Sequence, residues 1–147
     1  LDNASFESDK ITTEPSQWNI WLSDVTQKGT IKTEYGNAFD GDYKLTFWDD
    51  SDYDCSVYKT FEGIPNGKYQ FSVWAMTNGE QKVLQMYAKN FGGTELNTPI
   101  TTSDINWNLF TIDEIEVTNN TCEIGIYTEA NAGDWCNLDF AMLRKID

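Results

Sequence analysis

Apolar and polar residues alternate with a period of two along most of this chain. The alternation is clear at residues 43–48, 69–76 and 83–90, and it returns at residues 122–128. A period of two is typical of β-strands with one buried face, and no stretch shows the 3.6-residue period of a capped helix. Turn signals such as Pro65-Asn66-Gly67 separate the stretches. The pattern predicts an all-β sandwich that forms a single domain over residues 1–147.

The rest of the chain is predicted from the same signals. Further strands are expected at residues 57–61, 107–117 and 135–146, and a first strand around Ser5 and Phe6. Two polar tracts, residues 8–17 and 94–106, are predicted as long surface loops.

The alternation also sorts the side chains of the predicted strands onto two faces. One face is apolar and is expected to form the core: Tyr69, Phe71, Val73, Ala75, Leu84, Met86, Ala88, Cys122, Ile124 and Ile126. The other face mixes aromatic and polar residues, including Trp74, Gln85, Tyr87 and Tyr127, and Gly125 leaves room beside them. With strands 69–76 and 83–90 taken as neighbours, the mixed face predicts a groove across a sheet.

Composition narrows the ligand classes. The chain has 24 acidic and 10 basic residues, a net charge of −14, six tryptophans and no histidine. Such a surface repels phosphate, so we expect no binding to nucleic acid or to an anionic membrane. Without histidine the commonest general acid or base is missing. No spacing singles out a pair of carboxylates, and no nucleophile, phosphate-loop or zinc motif occurs. We therefore expect a non-catalytic protein.

The cysteines Cys55, Cys122 and Cys136 are odd in number and lack a metal-binding spacing. They are either buried thiols or one disulfide and a free thiol. If a disulfide forms, Cys122 and Cys136 are the favoured pair, because they flank adjacent predicted strands. No apolar run approaches the length needed to cross a bilayer.

Excess tryptophan without catalytic groups favours saccharide binding. A ring stacked on the C–H face of a sugar excludes water from apolar area, and planar polar side chains hold hydroxyl groups. Micromolar affinity corresponds to about −8 kcal/mol, so several rings are needed. The predicted stacking residues are Trp21, Trp48, Trp74 and Trp135, flanked by Tyr58, Tyr87 and Tyr127, with Gln85, Lys89 and Asn131 for hydroxyl groups. Trp18 and Trp107 are predicted to pack in the core.

Several stretches resemble a known family. Asn3-Ala-Ser-Phe-Glu7, Pro15-Ser-Gln-Trp18 and Asn137-Leu-Asp139-Phe140 resemble bacterial carbohydrate-binding modules of jelly-roll fold. Leu45-Thr-Phe-Trp48 and Asn131-Ala-Gly-Asp-Trp135 more specifically resemble family 61, the modules of galactan-degrading enzymes. The resemblance implies a jelly-roll sandwich of two antiparallel sheets that binds β-1,4-galactan. It also implies a secreted, monomeric module covalently linked to a glycoside hydrolase.

The turn Asp40-Gly41-Asp42-Tyr43 is rich in oxygen atoms, and Asp139 places a charge inside the last predicted strand. Both features suggest a structural calcium ion. Calcium takes six to eight oxygen ligands, and the resemblance implicates Glu7, Asp40 and Asp139, with a backbone carbonyl near Tyr43. Many relatives end in a double aspartate, but this chain has Phe140 at the second position.

Other ligands and classes stay open. Mannan, xylan or β-glucan could replace galactan. The same aromatic face could bind protein in an adhesion or cell-surface domain, or two of the many carboxylates could serve a small glycosidase or lyase.

Overall fold

A computed structural model describes residues 2–103 and 105–146. The described residues form ten β-strands and no helix, and therefore no helix that could cross a membrane. The strands are β1 (Asn19–Leu22), β2 (Ile31–Tyr35), β3 (Tyr43–Trp48), β4 (Tyr53–Glu62), β5 (Gly67–Thr77), β6 (Val83–Lys89), β7 (Leu96–Pro99), β8 (Asn108–Val117), β9 (Thr121–Ala130) and β10 (Trp135–Lys145).

The strands build two five-stranded antiparallel sheets that pack face to face. Sheet A has the order β1-β4-β9-β6-β7, and sheet B has the order β2-β3-β10-β5-β8. The predicted all-β sandwich of two antiparallel sheets is thus confirmed. Seven of the nine connections between these strands cross from one sheet to the other, and the connections β2–β3 and β6–β7 stay within a sheet.

The core lies between the sheets, and the alternation correctly identified it. Phe71, Val73 and Ala75 of β5 face Met86, Ala88 and Ile124 of sheet A across the sandwich, and all are essentially inaccessible to solvent. Trp18 is also buried, with its ring centroid 5.6 Å from that of Phe6, as expected for a packing residue.

Three predictions about elements are wrong, and one pair of strands was missed. Ser5 and Phe6 lie in turns rather than in a first strand, and β7 lies inside the tract 94–106 that was predicted as a loop. The short strands β1 and β2 were not predicted, because neither carries a long enough alternation. Strands β5 and β6 belong to different sheets, so the mixed faces of the two do not form one surface.

The three cysteines are all buried free thiols. Cys122 lies on β9 of sheet A and Cys136 lies on β10 of sheet B. Burial raises the pKa of the Cys122 thiol to about 12, so this sulfur stays protonated and unreactive near neutral pH. The favoured disulfide pair is therefore absent.

Candidate functional site

The outer face of sheet A contains an open groove of about 520 Å³. Strands β1, β4, β9 and β6 supply its floor, because side chains two residues apart on each strand point to the same outer face. The lining residues are Trp21, Ser56, Tyr58, Gln85, Tyr87, Lys89, Glu95, Glu123 and Tyr127. Six of the ten predicted binding residues thus converge on one groove: Trp21, Tyr58, Gln85, Tyr87, Lys89 and Tyr127.

Two aromatic rings form one end of the groove. Trp21 pairs with Ser56 across β1 and β4, and Ser56 pairs with Tyr127 across β4 and β9. The small Ser56 side chain lets the rings approach, with centroids 6.3 Å apart and planes tilted by 35°. Trp21 is 45% exposed, a high fraction for a tryptophan, so a large part of its side chain is free to contact a ligand. The two rings form a bent platform rather than a flat row.

The middle of the groove depends on Gly125. Tyr58 and Tyr87 flank this glycine in register on β4 and β6. A Cβ on Gly125 would lie 2.5 Å from Cζ of Tyr87, so the tyrosine ring occupies the space that the missing side chain leaves. The glycine was expected to leave room for a ligand. It leaves room for a ring of the groove instead.

The far end of the groove is polar and electrically paired. The Tyr87 hydroxyl donates a hydrogen bond of 3.0 Å to Oε2 of Glu123, and Nζ of Lys89 lies 3.6 Å from the same oxygen. The Lys89 ammonium also lies 5.4 Å from the centroid of the Tyr87 ring. The paired Lys89 ammonium and Glu123 carboxylate still offer a donor and an acceptor to the hydroxyl groups of a ligand. Because their charges are opposite, the pair does not attract an anion strongly.

Two of the groove tyrosines, Tyr87 and Tyr127, have raised pKa values. Burial, followed by the neighbouring Glu123 carboxylate, raises the pKa of Tyr87 well above its usual range. Burial, followed by the charge of Glu129, raises the pKa of Tyr127 to about 12. Both hydroxyl groups therefore keep their protons and can donate hydrogen bonds.

Sequence reasoning missed three groove residues. Ser56 and Glu123 lie two residues from Tyr58 and Gly125 on the same outward faces, so the period of two could have found both. Glu95 precedes β7 in a tract that was predicted as a loop, where no periodic signal exists. Gln85 donates to Oδ1 of Asn97 at 3.3 Å, which ties β6 to β7 beside the groove.

Three of the predicted tryptophans lie on the outer face of sheet B. Trp48 ends β3 and Trp135 begins β10, and the two are paired in register. Trp74 of β5 stacks on Phe39, with centroids 4.0 Å apart and planes within 14°. Asn131 is exposed in the loop between β9 and β10. The structure does not bring these four residues to the groove.

Trp107 lies outside the core, contrary to the sequence prediction. Its ring packs edge-on against Phe39, at 6.4 Å between centroids, and its indole N–H donates to the carbonyl of Asn37. It belongs to an aromatic cluster on the outer face of sheet B, formed by Phe39, Trp74, Trp107 and Phe140.

The predicted calcium ligands surround the turn before β3. The Glu7 carboxylate accepts hydrogen bonds from the backbone N–H groups of Asp42 and Tyr43, at 2.9 and 2.7 Å. Oδ2 of Asp139 accepts from the backbone N–H groups of Phe39 and Asp40, both at 2.9 Å. Among residues 2–103 and 105–146, no three His, Cys, Asp or Glu side chains gather to hold a metal ion. Backbone amides satisfy these carboxylates, so the arrangement does not by itself indicate a bound cation.

The chain is similar in structure to several known proteins. No protein-family model matches the sequence, whereas solved structures similar to the chain include carbohydrate-binding modules. TmCBM61, solved in complex with β-1,4-galactotriose, is 26% identical, with a TM-score of 0.82 over 99% of this chain and 97% of that one. The K1 cleaved adhesin domain of Lys-gingipain from Porphyromonas gingivalis W83 shares the fold alone, at 12% identity and a TM-score of 0.65 over 97% of this chain and 96% of that one.

A curated relative matches this chain over a small part of its own length. The 1,6-alpha-glucosyltransferase of Sporosarcina globispora is 25% identical over 153 residues, which cover 99% of this chain but only 12% of that protein. The two sheets, their strand count and the likeness to TmCBM61 over nearly the full length agree with the resemblance found in the sequence. The chain is a β-sandwich module like those of carbohydrate-binding module family 61.

Proposed function

We propose that the chain is a non-catalytic module that binds a neutral polysaccharide in the groove of sheet A, with β-1,4-galactan as its first ligand. The observation that carries this proposal is the bent aromatic platform of Trp21 and Tyr127 beside the polar groove end. Both devices of sugar recognition, stacking rings and planar hydrogen-bonding groups, therefore occur within one cavity.

The tilt of the platform favours a curved polysaccharide. In β-1,4-galactan each linkage passes through the axial O4 of one galactose, so successive rings do not lie in a common plane. A 35° angle between the Trp21 and Tyr127 rings suits two successive sugars that are not coplanar. The complex of TmCBM61 with β-1,4-galactotriose supports the same ligand class for this chain.

An α-glucan, with amylose as the test ligand, is the second candidate, because the curated relative that matches this chain is a 1,6-alpha-glucosyltransferase. An α-1,4 linkage also has one axial bond, at C1, and therefore also bends the chain. Galactan and this α-glucan thus share the curvature that the platform favours, but the axial bond of the linkage is at C4 in galactan and at C1 in the glucan.

The groove supplies no evident catalytic pair. Among the described residues that line it, Glu95 and Glu123 are the acids, and Glu123 is already bonded to Tyr87 and Lys89. We infer that the module raises the effective concentration of its substrate for a covalently linked enzyme in a secreted protein. We further propose that the module is monomeric and that it binds a structural calcium ion.

Affinity electrophoresis in gels with galactan, amylose, mannan, xylan and β-glucan tests the function. Retardation is expected with galactan, and the gel with amylose tests the second candidate. Trp21→Ala is expected to weaken binding by about 1–3 kcal/mol, the range of interface hot spots. Tyr127→Ala should weaken it similarly, since it removes the other ring of the platform.

Tyr35→Ala is the matched control, because this tyrosine is 72% exposed and lies on sheet B. It should bind like the wild type. Unchanged mobility of the wild type in every gel would refute saccharide binding. Wild-type affinity of Trp21→Ala would place the site elsewhere, and reducing sugar released from galactan would show that the module is an enzyme.

A further inference from the structure

The outer face of sheet B carries a second pair of tryptophans away from the groove. Trp48 and Trp135 lie directly opposite one another on β3 and β10. They line a separate depression of about 360 Å³, and Trp48 is 41% exposed. Side chains at directly opposed positions of an antiparallel pair have Cβ atoms about 5 Å apart, so the two side chains leave the sheet at neighbouring points of one face.

Hydrogen bonds anchor the backbone of both tryptophans at the strand ends. The Trp48 N–H donates to the carbonyl of Thr30 at 3.0 Å, and the Trp135 carbonyl accepts from Gln81 Nε2 at 2.8 Å. The loop that precedes Trp135 is tied back as well, since the Gly133 N–H donates to the Asp49 carbonyl at 2.9 Å. A site built on such anchored residues is ordered before its ligand arrives.

The floor beside the rings is polar. Thr46 and Asn137 form the next pair in register, and the Thr46 hydroxyl is within 2.9 Å of Oδ1 of Asn137 and also bonds to Glu34. A hydroxyl group has one proton to donate, so Thr46 cannot donate to both acceptors at once. The amide group of Asn137 therefore keeps hydrogen-bonding capacity for a ligand at the edge of the rings.

The charges around this depression nearly balance, unlike the net charge of −14 on the whole chain. Its charged lining consists of Lys32, Lys44 and Glu34, and Nζ of Lys32 lies 4.0 Å from Oε2 of Glu34. The Lys44 ammonium donates a hydrogen bond to the carbonyl of Gly36 at 2.7 Å. A compact neutral ligand fits this balance better than a phosphate or a carboxylate.

We propose that the outer face of sheet B has a second saccharide-binding site, in which Trp48 and Trp135 stack on a short neutral oligosaccharide. The Glu34 carboxylate accepts hydrogen bonds from its hydroxyl groups, and the Asn137 amide donates to them. The groove and the second site lie on opposite faces of a two-sheet sandwich, so one sugar segment cannot occupy both. The module therefore binds two segments at once and gains avidity on an insoluble or entangled polysaccharide.

Two-dimensional NMR of the tryptophan indole N–H groups tests the second site. The protein is labelled with ¹⁵N and titrated with β-1,4-galactotriose, maltotriose, cellotriose, mannotriose and xylotriose. The groove is disabled by the double substitution Trp21→Ala and Tyr127→Ala. Saturable shifts of the Trp48 and Trp135 signals in this variant are expected with at least one sugar, and Trp48→Ala should abolish the shift of the Trp135 signal.

Each outcome separates this inference from the groove. If the Trp21 signal of the wild type shifts while those of Trp48 and Trp135 stay fixed with all five sugars, the second site is refuted and the groove stands. If only Trp48 and Trp135 respond, the second site stands and the groove assignment fails.

Sedimentation velocity and retention on insoluble galactan complete the test. Concentration-dependent dimerisation that Trp48→Ala abolishes would show that a second copy, and not a sugar, covers these rings, which refutes the inference. With two working sites, the wild type should be retained at least tenfold more strongly than either Trp21→Ala or Trp48→Ala. Tyr35→Ala controls for loss of an exposed ring on sheet B, and thermal unfolding checks that each variant folds.

Discussion

Asp139 is a carboxylate with no solvent-exposed surface in the last strand of the sandwich. Its two oxygens accept backbone N–H groups: Oδ2 accepts from Phe39 and Asp40, and Oδ1 accepts from Phe140 at 2.7 Å. Burial nevertheless raises the pKa of this carboxyl group to about 7. Asp139 therefore ties the turn before β3 to strand β10.

Asp139→Asn should destabilise the fold by about 2–3 kcal/mol at pH 8 in the presence of chelator. Whichever way the new amide turns, its NH₂ group faces a backbone N–H donor, which leaves buried donors unpaired. Urea unfolding measures the change. Asp113→Asn is the matched control, because one exposed oxygen of Asp113 accepts hydrogen bonds from both Gln70 and Thr111, and an amide oxygen can replace it. A loss within about 0.5 kcal/mol for Asp139→Asn, the usual surface value, would contradict this role.

Gly125 controls the middle of the groove through the Tyr87 ring. Gly125→Ala places a methyl group where the Tyr87 ring now lies, so the ring must move and its bond to Glu123 is lost. Galactotriose binding is expected to weaken by at least about 1 kcal/mol, and stability by about 1–3 kcal/mol, the range for overpacking. Calorimetric titration and urea unfolding measure the two effects.

A second substitution separates the clash from its consequence. Tyr87→Val in the Gly125→Ala background removes the overlapping ring, so stability should recover while binding should not. Recovery of both would show that the Tyr87 ring plays no part in the groove.

At the scale of elements, the strands themselves were largely predictable. The bounds of β3 were predicted to the residue, and those of β5 and β6 to within two residues, because long alternation marks a half-buried strand. The short strands β1, β2 and β7 could not be predicted from four or five residues each. Yet β1 supplies Trp21, so the platform of the groove depends on an element without a periodic signal.

The order of strands within the sheets was not predictable from the same pattern. Consecutive strands β5 and β6 both alternate and are joined by a short turn, which favours a hairpin. The structure separates them into opposite sheets, and β9 and β10 flank them instead. Consequently Trp74 packs beneath Phe39 on sheet B, although Gln85, Tyr87 and Lys89 remain on sheet A.

Trp74→Ala should therefore affect stability rather than groove affinity. Loss of a half-buried ring that stacks on Phe39 is expected to cost about 2–4 kcal/mol, below or near the value for a fully buried tryptophan. Galactotriose affinity at the groove should remain within about twofold. Trp48→Ala is the matched control for stability, and its more exposed ring should cost less. Tenfold weaker binding by a folded Trp74→Ala variant would instead place Trp74 in a sugar site.

The charge of the whole molecule leads to a prediction about salt. The net charge of −14 acts on charged ligands, whereas a neutral oligosaccharide has no charge to screen. Galactotriose affinity should change by less than about twofold between about 10 mM and 1 M NaCl, although the Debye length falls from about 30 Å to 3 Å. Calorimetry at both salt concentrations measures this, with polygalacturonate as an anionic control that should not bind. A steep loss with salt would indicate a charged ligand.

Calcium is also tested on the whole molecule. An ion that binds only the native state at a hundred times its Kd adds about 2.7 kcal/mol, which for a domain of this size raises Tm by about 5–10 °C. Differential scanning calorimetry with calcium and with chelator measures the difference, and Asp139→Asn should remove it. Equal Tm values in calcium and in chelator for the wild type would contradict a stabilising ion.

The sequence alone determined the β-strand content, the residues that face the core and the strongly negative net charge. These properties depend on the local period of two and on composition, which do not require knowledge of which strands are neighbours. Tertiary structure alone decided which outward residues meet. Because strand order brings β1, β4, β9 and β6 together, it gathers Trp21 and Tyr127 into the groove of sheet A. The pairing of β3 with β10 places Trp48 opposite Trp135 on sheet B, and Trp74 stacks on Phe39.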